Sequence, residues 1–576
     1  MKAGAVACAV ALLGSLSACG DKEPTTTADG KPIVSVLIVK RPSTDKIANM
    51  QWAKDLEADC DCKIEWQEVS EDAWAQQKNA TLAAGKLADV SLHAFGVPDA
   101  AQYPSMFEDL SKDLDKLPNV KAFFKQKPDA KKLITDPDGH IYALPSSRGK
   151  SYSGSGQNMM INKAWLDKLG LQGPTTWDEL ENVLKAFKTQ DPNGNGQADE
   201  IPMNIKKLDS YFSWYSPMLL LNSTGIVTGF NKGPTVTGYY ADNGVVKSFL
   251  TSDEYKEVIK YYHKLISEGL IPADWATKAL DAYDSDQTSD GKTAKTGVSF
   301  GWSLDASFGT LKDQYIAMPV PSAPGVSPDK TVWDGSSSEF DGNKLSISSH
   351  VANKDAALKL ANLLYSEKYS VQQFLGSFGQ LVTDNGNHQY TVDAEKTSQL
   401  MKDNLFPGLS DRFTGWIPDE VSIKGDTNAD DLLEVNKAYD EQRSHFDPVK
   451  DYIPDYVNPS PEDNNKLSSN NTQILNVVMQ KTATWMSKGG IDGEWDAYCK
   501  QLDSLGLQEN VKIWQKWYDT YTKRRCRERR PVARQCLRLR DVSRTRIVEL
   551  EEFGSTIGCG SLMRSGCGVV SRTRQA

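Results

Sequence analysis

Short apolar runs alternate with helical stripes along the chain. The run VSVLIV at 34–39 is almost entirely apolar, which is typical of a strand buried on both faces. Further strands are predicted at 63–69, 89–95 and 140–145, and helical segments separate the first three. Strands that alternate with helices at this spacing predict an α/β fold with layers around a largely parallel sheet. Because 576 residues are too many for one core, we expect two or more lobes.

Two amphipathic helices have recognisable ends. Thr176 and Glu179 give a capping-box pattern at the start of an apolar helical stripe. Thr251 and Glu254 repeat this pattern at a second helix, which we expect to end at Gly269. Both helices are therefore predicted to pack one face against a core.

Tryptophan residues in long loops mark a candidate binding surface. The chain contains 14 tryptophans, and several of them lie in loops, including the long loops 206–246 and 302–340. Long loops on a rigid scaffold commonly carry ligand sites. Flat aromatic faces beside hydroxyl and carboxylate groups suit pyranose rings, but a loop tryptophan can equally be a packing residue.

Motifs of catalysis and nucleotide binding are absent from the sequence. It contains no P-loop, dinucleotide fingerprint, HExxH motif or GxSxG motif, and its 6 histidines lack metal-ligand spacing. Acidic residues are plentiful, so their number leaves a glycosidase carboxylate pair open, although no stretch singles out two of them. The residues themselves therefore indicate no particular enzyme class, and the prediction that the protein is not an enzyme comes from the family resemblance described below.

The N-terminal segment 1–19 has the pattern of a secretory signal, with a lysine, an apolar stretch and small residues at its end. Its last residues, Leu16-Ser17-Ala18-Cys19, resemble a bacterial lipobox, whose cysteine is acylated by a chain such as palmitate. The alternative is an ordinary signal in which Cys19 is incidental. A lipid on Cys19 would anchor the protein to the outer face of a Gram-positive cell membrane, with 20–32 as a polar tether.

Arginine usage changes abruptly near the end of the chain. The segment 524–576 contains 13 arginines and no lysine, whereas four arginines precede it, at Arg41, Arg148, Arg412 and Arg443. Two interpretations stay open: a basic arm that binds nucleic acid, or a disordered tail beyond a lost reading frame. The segment also has 5 acidic residues and so carries +8, which leaves −18 on the rest of a chain whose total is −10. Such an acidic body argues against nucleic acid as a partner.

The sequence DPNGNGQADEIP, which starts at Asp191, begins like a calcium-binding loop. Asp191, Asn193 and Asn195 place side-chain oxygens at every second position, and Gly196 follows, as at the start of an EF-hand. The last position, where an EF-hand needs a bidentate glutamate, is Pro202. The residues leave three interpretations open: a degenerate EF-hand, a metal-free polar turn, or a calcium loop that closes early.

Three cysteines remain between the signal and the arginine-rich segment: Cys60, Cys62 and Cys499. Their number and spacing match no zinc site. A disulfide between Cys60 and Cys62 would close a small ring, so that this disulfide and unpaired thiols both stay open.

A set of motifs in a fixed order resembles the family 1 extracellular solute-binding proteins of sugar ABC transporters. The motifs are YALPSSR, INKAWLDKLGL, PTTWDEL, the Asp/Asn loop, TGVSFGW, KLANLLYSEKYS and WDAYCKQLDSLGL, and the likeness covers 33–523. Within this family the chain is most similar to the large lipoprotein subgroup that includes the alginate-binding proteins. The resemblance implies a two-lobed, type II periplasmic-binding-protein-like fold, with hinge-connected lobes and the ligand cleft between them.

The same resemblance implies that the Asp/Asn loop binds structural Ca²⁺ and closes early through two acidic residues. Its implied ligands are the carbonyl of Gln197 and the side chains of Asp191, Asn193, Asn195, Asp199 and Glu200. The implied lobes are 33–151 with 297–350, and 152–296 with 351–523. Cleft candidates in the inter-lobe loops are Phe95, Arg148, Tyr152, Trp214, Trp302, Trp333, Glu339 and Trp416.

The function that the resemblance implies is that of a monomeric, lipid-anchored receptor. It would capture an oligosaccharide and deliver it to the permease subunits of an ABC transporter, with affinity from stacking and hydrogen bonds in a closing cleft. One rival hypothesis is a secreted glycoside hydrolase that uses two cleft carboxylates. Another keeps the fold and makes the ligand a peptide or a lipid-like molecule.

Overall fold

The computed structural model describes residues 24–402, 405–406 and 408–522. Its strands are β1 (Ile33–Lys40), β2 (Lys63–Ser70), β3 (Val90–Leu92), β4 (Leu144–Ser147), β5 (Asn158–Asn162), β6 (Ile201–Met203), β7 (Tyr239–Asp242), β8 (Val245–Ser248), β9 (Thr296–Gly301), β10 (Tyr315–Ala317), β11 (Phe340–Ile347), β12 (Val382–Asp384), β13 (Gln389–Val392) and β14 (Ser422–Lys424).

Helices occupy much of the remaining chain. They are α1 (Gln51–Cys60), α2 (Glu71–Ala84), α3 (Val97–Gln102), α4 (Pro118–Gln126), α5 (Pro128–Ile134), α6 (Lys163–Leu169), α7 (Trp177–Thr189), α8 (Asp253–Ser267), α9 (Leu280–Thr288), α10 (Leu304–Phe308), α11 (Lys354–Leu364), α12 (Glu367–Leu375), α13 (Ala394–Lys402), α14 (Thr427–Lys437), α15 (Asp440–Ser444), α16 (Pro461–Lys488) and α17 (Ile491–Ser504). Residues 507–522 are also helical. In the part of the chain that the structure describes, no helix is both long and apolar enough to cross a bilayer.

Five strands form the first sheet, in the order β2-β1-β3-β11-β4. β1, β2 and β3 run parallel, with Ile33 opposite Lys63 and Val36 opposite Val90. Helices α1 and α2 connect them, because parallel neighbours need a crossover connection. β11 returns from a distant part of the chain and pairs antiparallel with both β3 and β4. β1 therefore pairs with β2 on one side and β3 on the other, which fits the continuous apolar run from which a buried strand is predicted.

Four strands form the second sheet, in the order β10-β5-β9-β6. β5 is antiparallel to β9 and β10, whereas β6 is parallel to β9. Every residue of β5 and β9 is buried, as expected for the two central strands. Two smaller sheets, the three-stranded β12-β13-β14 and the hairpin β7-β8, are not hydrogen-bonded to either of these sheets.

Each of the two large sheets has its own hydrophobic core, and these cores form two lobes. The first core takes its buried apolar residues from 34–152 and 345–432. The second core takes them from 159–333 and 435–518. The chain therefore contributes two separate segments to each lobe.

The cores divide the chain differently from the predicted lobes. The family resemblance implies that 297–350 belongs to the first lobe, but β9 and β10 pair with β5 in the second sheet. It also implies that 351–523 belongs to the second lobe, but α11 and α12 pack on the first core through residues such as Leu358 and Tyr369. We therefore propose lobe boundaries that follow the cores.

Helix α14 belongs to both lobes. Its residues Ala429 and Leu432 are buried in the first core, whereas Val435 is buried in the second. The other two passages between the cores are extended or irregular segments, at 152–159 and 333–345. All three passages lie close to the candidate site described below.

Part of the predicted polar tether is folded against the first lobe. Residues 25–32 form a turn in which the backbone oxygen of Thr25 accepts hydrogen bonds from Ile33 N at 2.9 Å and from Asn353 Nδ2 at 2.7 Å. The tether is accordingly shorter than predicted. Cys19, the signal segment and the arginine-rich segment 524–576 lie outside the described residues.

The helix caps match the sequence patterns in one of two cases. Thr176 caps α7 as predicted, with its hydroxyl accepting from Glu179 N at 3.2 Å. α8 is capped by Ser252 instead of Thr251, because the hydroxyl of Ser252 accepts from Tyr255 N. Adjacent hydroxyl residues both satisfy the pattern, so the sequence fixes such a cap only to within one residue.

A disulfide joins Cys60, the last residue of α1, to Cys62, just before β2. Both cysteines are buried, and Asp61 between them takes a left-handed backbone conformation, with φ of 54°. Cys499 is a free thiol on α17. The structure therefore pairs the two cysteines whose state the sequence left open.

Replacing both Cys60 and Cys62 with serine should lower the free energy of unfolding by only about 1 to 2 kcal/mol, because so short a ring restricts the unfolded chain little. Urea denaturation of the oxidised, reduced and C60S/C62S proteins measures this, with C499S as the control. Non-reducing peptide mapping should find the peptide around Cys60 lighter by two hydrogens than its reduced form. Two free thiols in that peptide would contradict the assignment.

Candidate functional site

The carboxyl ends of β1, β2, β3 and β4 meet at one edge of the first sheet, where open α/β sheets bind ligands. The residues that follow these four strands at or near that edge are Arg41, Glu71, His93 and Arg148. After Arg148 the chain passes directly into the segment that enters the second lobe. The candidate site lies where this edge of the sheet meets the passages between the lobes.

Four of the predicted cleft residues come together at this position. We call Arg148, Tyr152, Trp214 and Trp302 the aromatic cluster. The rings of Trp214 and Trp302 lie 5.7 Å apart between centroids and are tilted by 56°. The Arg148 guanidinium carbon lies 4.9 Å from the ring centre of Tyr152 and 5.6 Å from that of Trp302. Tyr152 is buried, whereas the other three are half-buried and keep part of their surface free for a ligand.

Trp302 is held by the helix that spans both cores. It follows β9, and its Nε1 donates to Asn428 Oδ1 of α14 at 2.9 Å. The amide of Asn428 in turn donates to the Tyr152 hydroxyl at 3.4 Å. Three residues after Trp302, in α10, Asp305 N donates to Asp431 Oδ2 of α14 at 2.8 Å. The indole of Trp302 is thus held to α14 by one hydrogen bond, and a second one holds the start of the following helix to α14.

Replacing Asn428 with alanine should weaken ligand binding about fivefold, because the loss of one hydrogen bond costs about 1 kcal/mol and loosens the Trp302 ring. Asn428→Asp keeps an acceptor for the indole N–H and should restore most of the affinity. Calorimetric titration measures both variants, and Glu434→Ala, on the exposed side of the same helix, is the matched control. Equal affinity of N428A and wild type would contradict this role.

The loop that carries Trp214 is fixed by polar contacts and by a strained backbone. Lys206 Nζ donates to the Trp214 carbonyl at 3.3 Å and to Asp209 Oδ2 at 2.8 Å. Tyr215 N donates to Gln157 Oε1 at 2.8 Å. Tyr215 has φ of 60°, a left-handed conformation that costs a bulky residue free energy and is retained mostly at functional sites.

Gly156 allows the first inter-lobe passage to run beneath both tryptophans. A Cβ atom at this position would lie 2.0 Å from the Trp302 ring and 2.8 Å from the Trp214 ring. Any side chain would therefore displace the two rings. At Gly156 the backbone therefore lies close to the rings of Trp302 and Trp214.

Arg148 ties the first two passages between the lobes together. Its Nε donates to the Ser338 carbonyl at 2.8 Å, and its backbone N donates to the Glu339 carbonyl at 2.9 Å. Glu339 itself is buried and forms an ion pair with Lys127 at 2.7 Å, while Ser147 Oγ donates to it at 3.0 Å. The Glu339 carboxylate is thus occupied by structural partners and does not line the cleft as predicted.

Three further predicted cleft residues are packing residues. Phe95 contacts Trp74 and Phe107, with centroid distances of 5.3 Å to each. Trp333 is fully buried and stacks on Tyr439 at 4.3 Å, and Trp416 stacks on Phe123 at 5.1 Å. These side chains point into the cores, so the prediction that they face a ligand does not hold.

Buried charges close the first-lobe edge of the site. Lys344 on β11 is fully buried and its Nζ donates to His93 Nδ1 at 2.9 Å. Burial lowers the pKa of Lys344 and also lowers the pKa of His93, so His93 is neutral at pH 7 and accepts this hydrogen bond. His93 and Arg412, which donates to Glu71 at 2.6 Å, lower the pKa of Glu71 to about 2. No local sequence pattern indicates this network, because its members are far apart along the chain.

The predicted calcium loop connects α7 to β6 and is organised around Asp191. The Asp191 carboxylate accepts from the backbone N of Gly194, Asn195 and Gly196 at 3.0 to 3.1 Å. Asn193 Oδ1 accepts from Asn195 N, and Asn195 Oδ1 accepts from Gln197 N. The alternating side chains of this loop therefore all point inward, as in the predicted pattern.

The acidic end of the loop carries a carboxylate oxygen without a protein partner. Glu200 Oε1 is buried and accepts no hydrogen bond within the described chain. Burial raises the pKa of Glu200, and the nearby Asp191 and Asp199 add to the rise. Lys295 pairs with one oxygen of Asp199 at 3.0 Å, which leaves the other facing the amides of Asn193 and Asn195.

The donors of this loop suit a hard cation. Within residues 24–402, 405–406 and 408–522, no group of three or more His, Cys, Asp or Glu side chains is arranged for a metal ion. The loop instead offers carboxylate, amide and backbone oxygens together, and this oxygen-only set is the one Ca²⁺ prefers. The unpartnered Glu200 oxygen fits the role of a ligand to such a cation.

Comparison with known proteins places this geometry in a family. A family model for bacterial extracellular solute-binding proteins matches residues 44–371. The fructooligosaccharide ABC transporter substrate-binding protein FusA of Streptococcus pneumoniae is 30% identical over 553 residues, which cover 89% of this chain and 96% of FusA. The chain belongs to the bacterial extracellular solute-binding proteins. The family resemblance and the two-lobed fold that the sequence motifs imply are confirmed.

Solved structures of this family share the fold along most of the chain. One, described as an HMO-binding, ABC-transporter-associated solute-binding protein of Bifidobacterium longum infantis, has 84% identity and a TM-score of 0.85, covering 86% of this chain and all of its own. FusA in complex with kestose has 26% identity and a TM-score of 0.72, covering 85% of this chain and all of its own. A further FusA structure is described as an EF-hand mutant in complex with fructo-nystose. These solute-binding relatives are substrate-binding proteins and are not described as enzymes.

Proposed function

We propose that this solute-binding protein captures an oligosaccharide for an ABC transporter and presents it to the permease subunits. The observation that carries the proposal is the half-buried tryptophan pair, Trp214 and Trp302, at the passages between the lobes. Aromatic faces beside polar groups suit sugar rings, whose C–H faces stack while their hydroxyls form hydrogen bonds. Relatives named for oligosaccharides support the same ligand class.

We assign this arrangement to binding. Arg148 packs over the Trp302 ring, Lys206 donates to the Trp214 carbonyl, and Asn428 links Trp302 to α14. Closure of the lobes would bring the charged edge of the first sheet over a sugar stacked on the tryptophan pair. The predicted carboxylate Glu339 is paired with Lys127 and is not available as a catalytic acid.

Titration of the purified chain with a glycan panel tests this function. We expect calorimetric binding of at least one oligosaccharide, a smaller radius of gyration in small-angle scattering on binding, and unchanged glycan in chromatograms after long incubation. Hydrolysis products would make the protein a glycoside hydrolase. If the protein bound peptides or lipids but no glycan, the ligand of this cleft would belong to another chemical class.

We further propose a lipid anchor on Cys19, from the lipobox pattern, and a monomer on the extracellular face of the membrane. Mass spectrometry of the N-terminal peptide from the native host tests the anchor. A peptide that starts at an acylated Cys19 supports it, and a peptide that begins elsewhere without lipid refutes it. Sedimentation velocity tests the monomer.

We also propose that the loop at 191–200 holds one structural Ca²⁺. The side chains of Asp191, Asn193, Asn195, Asp199 and Glu200 and the carbonyl of Gln197 would hold it. The ion would supply positive charge among three carboxylates that otherwise face one another. The unpartnered oxygen of Glu200 and the raised pKa of its carboxyl support this site.

Adding Ca²⁺ should raise the free energy of unfolding by about 2.7 kcal/mol at 100 times the dissociation constant. Glu200→Gln should reduce this gain by removing one charge from the ligand set. Calorimetric melting with Ca²⁺, with Mg²⁺ and with a chelator measures it. Asp290→Asn is the matched control, because Asp290 accepts from two backbone N–H groups in a similar turn, without the other ligands.

Equal melting with calcium and chelator would contradict the calcium site. A full calcium response in the Glu200→Gln protein would contradict the role of that carboxylate. A melting temperature that rises as much with Mg²⁺ as with Ca²⁺ would contradict a calcium-specific loop.

A further inference from the structure

A hydrogen-bond donor and an acceptor lie on neighbouring strands at the carboxyl edge of the first sheet. His93 directly follows β3, and Asp341 lies in β11, which pairs with β3 on one side and with β4 on the other. Arg148 of the aromatic cluster follows β4, so its backbone and that of His93 are two strand spacings, or about 10 Å, apart. Lys232, a residue of the second lobe, donates to the carbonyl of Phe340, the residue before Asp341, at 2.8 Å. Both polar residues therefore lie where the two lobes approach each other.

One fully buried lysine orients both groups. Lys344 Nζ lies 2.9 Å from His93 Nδ1 and 3.2 Å from Asp341 Oδ2, and it also donates to the Asp411 carbonyl. Because an ammonium has donors and no acceptor, His93 Nδ1 accepts, and the proton of the neutral imidazole is on Nε2. The Asp341 side chain remains 41% exposed beyond its contact with Lys344. Lys344 thus fixes an N–H donor and a carboxylate acceptor next to each other.

The Nε2–H group of His93 has no hydrogen-bond partner in the part of the chain that the structure describes. Glu71 Oε1 lies 3.7 Å from Nε2, which is longer than a hydrogen bond, and this oxygen already accepts from Arg412 at 2.6 Å. His93 also has φ of 55°, a left-handed conformation that is uncommon for a residue other than glycine and is often retained at binding sites. A strained residue with an unpaired donor at this edge fits a ligand contact.

We infer that His93 and Asp341 are the hydrogen-bonding contacts of the first lobe and bind neighbouring hydroxyls of one sugar unit. The Asp341 carboxylate accepts from one hydroxyl, and His93 Nε2 donates to the next. Lys344 is the positioning residue beneath both side chains. The inference rests on the proposed function and adds residues that choose among glycans by the arrangement of their hydroxyls, because a site built to bind a hydroxyl rejects an analogue that lacks it.

Calorimetric titration of the purified chain tests the two contacts. Neutral fructo-, gluco- and galacto-oligosaccharides, including kestose, are the probes, and the tightest of them is used throughout. Asp341→Ala should weaken its binding roughly 10- to 100-fold, as for hydrogen bonds to a charged group. His93→Asn should weaken it about 3- to 10-fold. Asparagine tolerates the left-handed backbone and still accepts from Lys344, but its side chain ends before the position of Nε2.

The chain offers a matched control for each variant. Asp242 is a strand aspartate with a 43% exposed side chain that pairs with Lys247 at 2.6 Å, on the hairpin β7-β8. His388 has φ of 60°, and its Nδ1 contacts Glu367 at 2.7 Å. Asp242→Ala and His388→Asn should bind the glycan as wild type does. Wild-type affinity in either D341A or H93N would overturn the inference and leave the proposed function intact, whereas binding of no glycan by the wild type would overturn both.

Monodeoxy analogues of the tightest glycan test whether Asp341 binds a hydroxyl. Removal of the hydroxyl that donates to Asp341 should weaken binding to the wild type at least about tenfold. The same analogue should differ from the parent glycan by less than about threefold in D341A, because that contact is already lost. If every analogue lost as much affinity in D341A as in the wild type, the inference would be wrong.

Lys344→Met tests the positioning role, because methionine fills much of the same buried volume without the ammonium. This variant should reduce the preference for the parent glycan over that analogue by at least about threefold, since His93 and Asp341 are no longer held. A merely structural role of Lys344 would change the melting temperature and leave the preference unchanged. An unchanged preference in folded K344M would therefore remove Lys344 from the site.

Discussion

Replacing Trp302 with alanine should weaken oligosaccharide binding by about 2 to 4 kcal/mol, or roughly 30- to 1000-fold in Kd, as for a binding hot spot. The ring is half-buried beside Trp214 and Arg148, so the change removes a stacking face and a neighbour of both. It also removes the indole N–H that donates to Asn428. Calorimetric titration with the tightest glycan of the panel measures the loss.

The control variants separate stacking from a general loss of structure. Trp302→Phe keeps a flat but smaller ring and loses the hydrogen bond to Asn428, so its affinity should lie between those of wild type and W302A. Trp517→Phe, near the C-terminal end of the described chain, should bind as wild type does, although it also alters a tryptophan. If W302A bound the glycan with wild-type affinity, Trp302 would not be a ligand-binding residue. The tryptophan pair would then no longer support the proposed function.

Replacing Trp333 with alanine should instead lower the free energy of unfolding by about 3 to 5 kcal/mol, as for other fully buried large side chains. The ring stacks on Tyr439 at 4.3 Å, and its Nε1 donates to the Gln157 carbonyl at 3.0 Å. The change therefore leaves a cavity in the second core and removes the shorter of two hydrogen bonds to the Gln157 carbonyl, which keeps the one from Ser155 Oγ at 3.4 Å. Urea denaturation followed by far-ultraviolet circular dichroism measures the loss.

The outcome for Trp333 also tests its assignment to the core. Trp333→Phe fills most of the cavity and should recover more than half of the lost stability. If W333A were as stable as wild type but failed to bind glycan, Trp333 would be a cleft residue, as the sequence analysis first predicted. Comparison with W302A, whose main effect is on binding, distinguishes the two roles.

Local patterns predicted the first two strands of the first sheet well. β1 and β2 lie within one residue of the predicted bounds. β1 has the continuous apolar run of a parallel strand that is buried on both faces, whereas β2, at the edge of the sheet, mixes polar and apolar residues. β4 lies at Leu144–Ser147, later than the predicted 140–145. Its polar end is buried by pairing with β11, almost 200 residues away, and a local pattern contains no information about that partner.

Long-range pairing also explains the lobe boundaries that the sequence analysis missed. The return of β9 and β10 to the second sheet depends on hydrogen bonds with β5, and the docking of α11 and α12 depends on the first core. The residues of these segments alone indicate neither the strand pairing nor the helix docking. The family resemblance implied the number of lobes but not these assignments.

The tryptophans show why site prediction from sequence was only partly successful. Trp302 and Trp416 both stand in loops after a glycine, and their local sequences look alike. Trp416 is buried because Phe123 and the Tyr365 carbonyl meet it from other parts of the first lobe. Trp302 stays half-buried because its neighbours Trp214 and Arg148 are themselves only half-buried. Only the tertiary partners distinguish a half-exposed ring from a packing ring.

Helix α14 restricts how the two lobes can move. Since Leu432 is anchored on one side and Val435 on the other within a single helical turn, wide separation of the lobes would pull one of them out of its core. We therefore expect the axis of lobe rotation to pass close to α14. Trp302, which is attached to this helix through Asn428, would then lie near the axis and move little. The larger displacement on closure would be that of the surface opposite Trp302.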